Sequence, residues 1–267
     1  MKVEPAAEHS GVLPVDYDRV APAYDRRYAA RSYAGVDEAL AHFLAGATRE
    51  VLEVGCGTGH WLARMRAGGH SPVGVDASDA MLRRARAATD ARLAVASASA
   101  LPFAAGRFDA VVCVNAFHHF PDKQRFLAEA WRVLEPGGRF FSVGMDPHDG
   151  VRRWVVYDFF PETRAVDQGR FPASAAIRSW LAAAGFVDAA THEAERVDDA
   201  VSGRSVLASP FLERRGTSQL ALLDDAAYAA GIDRIEAALA SAEARGDQAT
   251  FFAQLSLFAT TATKPRS

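Results

Sequence analysis

Residues 51–61 read VLEVGCGTGHW: a short apolar run interrupted by one acid, then glycines at 55, 57 and 59. A short apolar run closed by glycine reads as a buried strand. Glycines at alternate positions let the backbone turn tightly off that strand and pass close to a ligand, and a helix that follows presents free N–H groups to negative charge. A phosphate or a carboxylate suits such a loop. The dinucleotide fingerprint G-x-G-x-x-G is not met, because His60 stands where its last glycine would be. Glu53, at the carboxyl end of the strand, is costly to bury unless a ligand ammonium or a loop N–H partners it.

Working outward, short β-type runs alternate with helical stretches, the pattern of a mostly parallel α/β sheet with helices on both faces. Strands are predicted at 51–54, 72–75, 92–96, 108–115 and 139–144, with helices starting at Trp61, Ala80, Lys123 and Ser174. Gly137 and Gly138 stop one helix and turn into the next strand, and Gly185 does the same later. Two further strands are predicted at 187–197 and 250–263, separated by a helical insert too long for a plain connection. The predicted division is therefore N-terminal lid helices over 1–45, a ligand-binding core over 46–197 with an aromatic cap at 147–173, an insert over 198–248, and a last strand within 249–267.

Composition bounds the function classes. At 267 residues, 49% hydrophobic and 24% charged, the chain can bury a large core. It has no apolar run of membrane-spanning length, and its start, MKVEPAAEHSGVLP, lacks the apolar centre of a signal peptide, so a cytoplasmic, soluble protein is expected. Net charge is −3, and the pairs Arg26–Arg27, Arg83–Arg84, Arg152–Arg153 and Arg214–Arg215 are scattered rather than gathered into a nucleic-acid face. Two cysteines without C-x-x-C spacing and dispersed histidines predict neither a disulfide nor a metal site.

The second strand ends VGVDAS (73–78), where Asp76 can accept both hydroxyls of a ribose, as in nicotinamide and adenosyl sites alike. With it, the run SALPFAAGRFDAVVCVNAFHHF (99–120) and EAWRVLEPGGRFFSV (129–143) stand in the order of four motifs. In these the chain resembles class I S-adenosylmethionine-dependent methyltransferases, in particular the small-molecule group related to ubiquinone and menaquinone methylases. The stretch DYDRVAPAYDRRY (16–28) resembles the lead-in helix that these enzymes fold over the cofactor. The resemblance implies a seven-stranded class I methyltransferase fold of order 3-2-1-4-5-7-6 with the last strand antiparallel. It further implies that Glu53, Gly55, Cys56, Gly57 and Gly59 surround the methionine part of S-adenosylmethionine, that Asp76 with Ala77 binds ribose, and that Met81 packs on adenine. Ser97, Ala98 and Ser99 would border the adenine, Asn115 and Ala116 would lie near the sulfonium, and Tyr17 and Tyr24 would close over the methionine end. Ser97 departs from the family, which commonly has an acid there; a hydroxyl accepts more weakly than a carboxylate.

A sulfonium methyl is already activated, so the protein must chiefly hold an acceptor in line, exclude water and remove a proton where the nucleophile needs it. His118 or His119, at the end of the fourth strand, and Asp146, after the fifth, are the candidate bases. Adjacent histidines are expected to point apart, so that at most one faces the acceptor. Trp154, Tyr157, Phe160 and Phe171, in WVVYDFFPETRAVDQGRF (154–171), are the candidate substrate-binding aromatics, favouring a hydrophobic or aromatic acceptor in a biosynthetic pathway. The insert reads as a lid or a dimer surface, and the chain as a monomer or homodimer. The alternative is a non-methylating cyclase or binding protein on the same fold.

Overall fold

The computed structural model of the chain describes Tyr28, residues 31–46 and residues 50–266; Tyr17 and Tyr24 lie outside the described residues. In chain order its elements are α1 (Ala34–Leu44), β1 (Glu50–Val54), α2 (His60–Ala67), β2 (Ser71–Asp76), α3 (Asp79–Ala88), β3 (Arg92–Val95), β4 (Phe108–Val114), α4 (Lys123–Val133) and β5 (Leu134–Met145). There follow β6 (Val151–Trp154), α5 (Val155–Phe159), α6 (Glu162–Arg170), α7 (Ser174–Ala183), β7 (Val187–Ser202), α8 (Ser218–Ala221), α9 (Asp225–Ala244) and β8 (Thr250–Thr263).

The first five strands are parallel in the order β3-β2-β1-β4-β5. The central strands β1, β2, β4 and β5 are covered on both faces, which is why they are largely apolar rather than alternating. Phe140 enters one core layer and its neighbour Phe141 the other. β8 is antiparallel to both of its long neighbours and pairs with β7 along its length. Its other edge is shared, residues 257–263 by β5 and residues 253–255 by β6.

The long strands thus take the expected order, but the sheet has eight strands rather than seven. The addition, β6, comes from residues read above as cap. Half of the β8 edge extends past β5, and β6 pairs backbone groups that would otherwise remain exposed there. β7 also continues to Ser202 instead of ending at Val197, so the insert begins later than its sequence pattern suggests. Asp198 and Asp199 are exposed and leave the backbone pairing intact.

Two contacts dock the outer pieces. α1 has no cap of its own, and Glu195 Oε2 on β7 accepts from Gly35 N at 2.6 Å and Val36 N at 3.2 Å. In the cap, Asp167 is fully buried and accepts from Tyr157 Oη and Gln219 Nε2, each at 2.8 Å, and from Arg170 at 2.6 Å, which ties α5 and α6 to α8. α9 lies over the fully buried Phe160 at Gly231, where an added Cβ would come within 2.1 Å of the ring.

Alanine is the better helix former, but a methyl in a filled core typically costs about 1–3 kcal/mol. Gly231→Ala is therefore expected to lower the free energy of unfolding by about 1–2 kcal/mol, read as a lower urea midpoint with an unchanged slope.

Candidate active site

The loop after β1 uses its glycines as the sequence suggested: φ is 76° at Gly55, 53° at Gly57 and 85° at Gly59, values that favour residues without Cβ. Gly55 N and Cys56 N donate to Val75 O at 2.7 and 3.0 Å. Asp76 then joins two loops, its carboxylate accepting from Gly57 N at 2.8 Å and Ser78 N at 2.9 Å. A carboxylate oxygen accepts more than one hydrogen bond, so this role is compatible with binding ribose hydroxyls. A Cβ at Gly55 would lie 2.4 Å from that of Ala116, so the end of β4 comes directly against the loop. Asn115 makes the turn there in the left-handed region, φ 52°, with its N–H on Val143 O.

Glu53 is fully buried beneath this loop, and neither carboxylate oxygen has a hydrogen-bond partner among the described residues. Burial first, and the nearby Asp76 charge second, hold its carboxyl well above the usual carboxylate range. A cation at this place would repay that desolvation, and the ammonium of S-adenosylmethionine is such a group. The residues present therefore fit the cofactor. Cys56 is buried beside Glu53, and burial raises its thiol as well. Met81 and Ala98 are buried, Ala77 and Ser97 exposed. Ser97 Oγ accepts from Ser99 N at 3.2 Å, whereas the Ser99 hydroxyl is buried with no partner among the described residues.

A cavity of 420 Å³ opens from the carboxyl end of β4. Asn115, His118 and His119 line it there, and Trp154 and Phe171 line it from the cap. His118 stacks on Phe171 with ring centroids 3.7 Å apart and 13° between planes, and the His118 and His119 rings lie 3.7 Å apart at 49°. Both histidines therefore border the same cavity, against the expectation that they point apart. The tight turn Phe117–His119, entered from left-handed Asn115, bunches them at the sheet edge.

Three other candidates are corrected. Asp146 does not line the cavity: its carboxylate accepts from Ser174 N and Oγ at 2.8 and 3.0 Å and from His148 N at 3.0 Å, and so fixes the start of α7. Tyr157 turns inward to Asp167, and Phe160 packs under α9 against Tyr228, neither lining the cavity. On a short helix such as α5, successive side chains point in different directions, so an aromatic run cannot all face one pocket.

The sequence reading missed the opposite wall, built from β8 and the insert. Phe251, Ala253, Leu255 and Leu257 line it at alternate positions, the period of one strand face, and that spacing was a legible signal. Phe211 and Val206 carried no comparable pattern. At the mouth, Arg31 pairs with Asp199 and lies over the Phe211 ring.

Residues 52–142 match a family model described as a methyltransferase domain. The demethylmenaquinone methyltransferase of Thermus thermophilus is 32% identical over 200 residues, covering 64% of this chain and 90% of that protein. The chain belongs to the class I S-adenosylmethionine-dependent methyltransferases. It spans 41–58% of the length of three further quinone methyltransferases that it matches at 33–45% identity. Among solved structures, a protein of Anabaena variabilis assigned as a methyltransferase of an antibiotic biosynthesis pathway shares the fold at a TM-score of 0.64 and 19% identity, covering 85% of this chain and 96% of that one. A Haemonchus contortus phosphoethanolamine N-methyltransferase in complex with S-adenosylmethionine shares it at 0.58 and 17%, covering 93% and 57%. No helix among the described residues is long and apolar enough to cross a membrane, and no cluster among them could hold a metal.

Because the native state holds the Glu53 proton more tightly than the unfolded chain, its contribution to stability is full below about pH 4 and is lost as the pH rises through the raised native value. Glu53→Gln stays neutral, so the ligand-free variant should melt progressively higher than the parent as the pH rises above the ordinary carboxylate range toward the raised native value. Calorimetry should show its affinity for S-adenosylmethionine reduced by roughly tenfold or more, the worth of a charged hydrogen bond.

Proposed function

We propose that this methyltransferase acts in the cytoplasm on a small hydrophobic aromatic acceptor of the phenol or quinol type, within a biosynthetic pathway. The observation that carries the reading is the cavity itself: its aromatic and aliphatic walls converge on Asn115, His118 and His119, beside the glycine loop. Open α/β sheets bind ligands at this edge. The printed activities of the matched relatives, demethylmenaquinone and phytylhydroquinone methylation among them, support an acceptor of this class. The scattered positive charge argues against nucleic acid as the acceptor.

When bound, S-adenosylmethionine supplies a methyl group already activated on its sulfonium. Glu53 and Asp76 are assigned to hold its ammonium and ribose. Trp154 and Phe171 clamp an acceptor ring and exclude water, which is worth most where orientation rather than chemistry limits the rate. His118 or His119 takes the proton of an acceptor hydroxyl on a neutral ring nitrogen. Stacking on Phe171 holds the His118 plane in place.

Isothermal titration is expected to show S-adenosylmethionine and S-adenosylhomocysteine both binding, the product no more weakly; binding of neither would remove the assignment. With a reduced naphthoquinol as acceptor, mass spectrometry should then detect gain of one methyl. His118→Ala and His119→Ala should bind cofactor alike yet differ by about tenfold or more in transfer rate, whereas equal, small losses would mean that positioning alone suffices.

A further inference from the structure

The polar groups on the cavity wall differ in how far their hydrogen-bonding capacity is used within the protein. Arg31 and Asp199 at the mouth pair with each other. Gln219 gives its Nε2 to Asp167 at 2.8 Å, and Thr217 Oγ1 accepts from Leu220 N. Ser218 lines the cavity and is different: its Oγ accepts from Arg170 Nη2 at 3.2 Å, which leaves its own proton as the donor. That proton reaches Gln219 Oε1 across 3.4 Å, near the long limit of a hydrogen bond, so a better acceptor can redirect it.

Behind Ser218 a buried cation is only partly hydrogen-bonded. Arg170 is 8% exposed, and its Nε and Nη1 are buried with no hydrogen-bond partner among the described residues. Its carboxylate, Asp167, is shared with Tyr157 and Gln219. Lys123, which donates to Phe120 O, feels this cation: burial first, then the Arg170 charge, hold its ammonium pKa below the usual range. A guanidinium cannot shed its proton, so Arg170 stays charged and keeps polarising the hydroxyl it donates to. Low dielectric strengthens its effect on whatever Ser218 touches.

We propose that Ser218 is a specificity-determining residue that binds an ionised phenolic oxygen of the acceptor, with Arg170 as the positioning residue that polarises it. The inference rests on the aromatic-acceptor reading of the cavity and deepens it: the acceptor carries an oxygen that becomes negative when bound. An ether or a plain hydrocarbon ring gains nothing from this wall. His118 and His119, on the same cavity, are the bases within the site that can take the proton.

The test uses the full chain with para-nitrophenol, whose phenolate absorbs in the visible, and its methyl ether para-nitroanisole, which cannot ionise. The parent protein should bind the phenolate about tenfold more tightly than the ether, as a charge-assisted hydrogen bond allows, and should raise the phenolate fraction at fixed pH. Ser218→Ala should abolish the preference while leaving the affinity for para-nitroanisole unchanged. Arg170→Lys should retain part of it and Arg170→Met lose it. Because removing Arg170 strands Asp167 and can unfold the cap, Ser218→Ala is the deciding variant. An undiminished phenolate preference in Ser218→Ala, or equal binding of both probes by the parent, would overturn the assignment and leave the aromatic cavity standing. Failure of the parent to bind either probe would overturn both, whatever the cofactor titration shows.

Discussion

The site depends on the close approach of the Gly55 backbone to Ala116. β1 has β2 on one side and β4 on the other, so the chain order reverses at β1, and a crevice opens at the carboxyl ends of these strands. The loops after β1 and β4 must both turn there without filling the crevice. A side chain at 55 would meet Ala116 at 2.4 Å and would also be strained at positive φ, so the loop can close only around glycine. Asp76 completes the arrangement by holding Gly57 and Ser78 on one carboxylate.

Around that edge the molecule contains two kinds of buried charge. Glu53 is a buried carboxyl without a hydrogen-bond partner among the described residues, its proton held by burial, and suited to ionise against a ligand that is itself a cation. Asp167 and Arg170 are a buried pair whose desolvation is offset by hydrogen bonds from three elements. The first lies beneath the glycine loop. The second holds the cap against the insert and places the Arg170 guanidinium behind the cavity wall. β8 links the two regions, since one half of it completes the sheet beside β5 and the other half, paired with β6 and β7, lines the cavity.

The glycine loop and its setting could be read from residues 51–78 because each requirement there is local: a strand, a turn that needs glycine, and an acid at the end of the next strand; the cofactor class came from the resemblance of four motifs in order. The acceptor side was less legible. Asp146 sits where a base could sit, yet the start of α7, distant in sequence, arrives to take its carboxylate. Tyr157 and Phe160 carried the same aromatic signal as Trp154 and Phe171, and their positions on α5 and at its end turned them toward Asp167 and α9 instead. The alternate apolar residues of β8 were a usable signal for the missing wall, but nothing local to them showed which partner strands would cover each edge.

The sequence by itself determined the α/β class, the succession of strands and helices and the glycine loop, because backbone conformation and hydrophobic periodicity are set within a few residues, while the strand order followed from the resemblance of its motifs. The tertiary structure alone decided which histidines and aromatics share the cavity, how far β7 and β8 run together, and which buried acids have partners. Those outcomes depend on contacts between residues far apart in the chain, such as Asp146 with Ser174 and Asp167 with Gln219, where either partner alone is an ordinary polar residue.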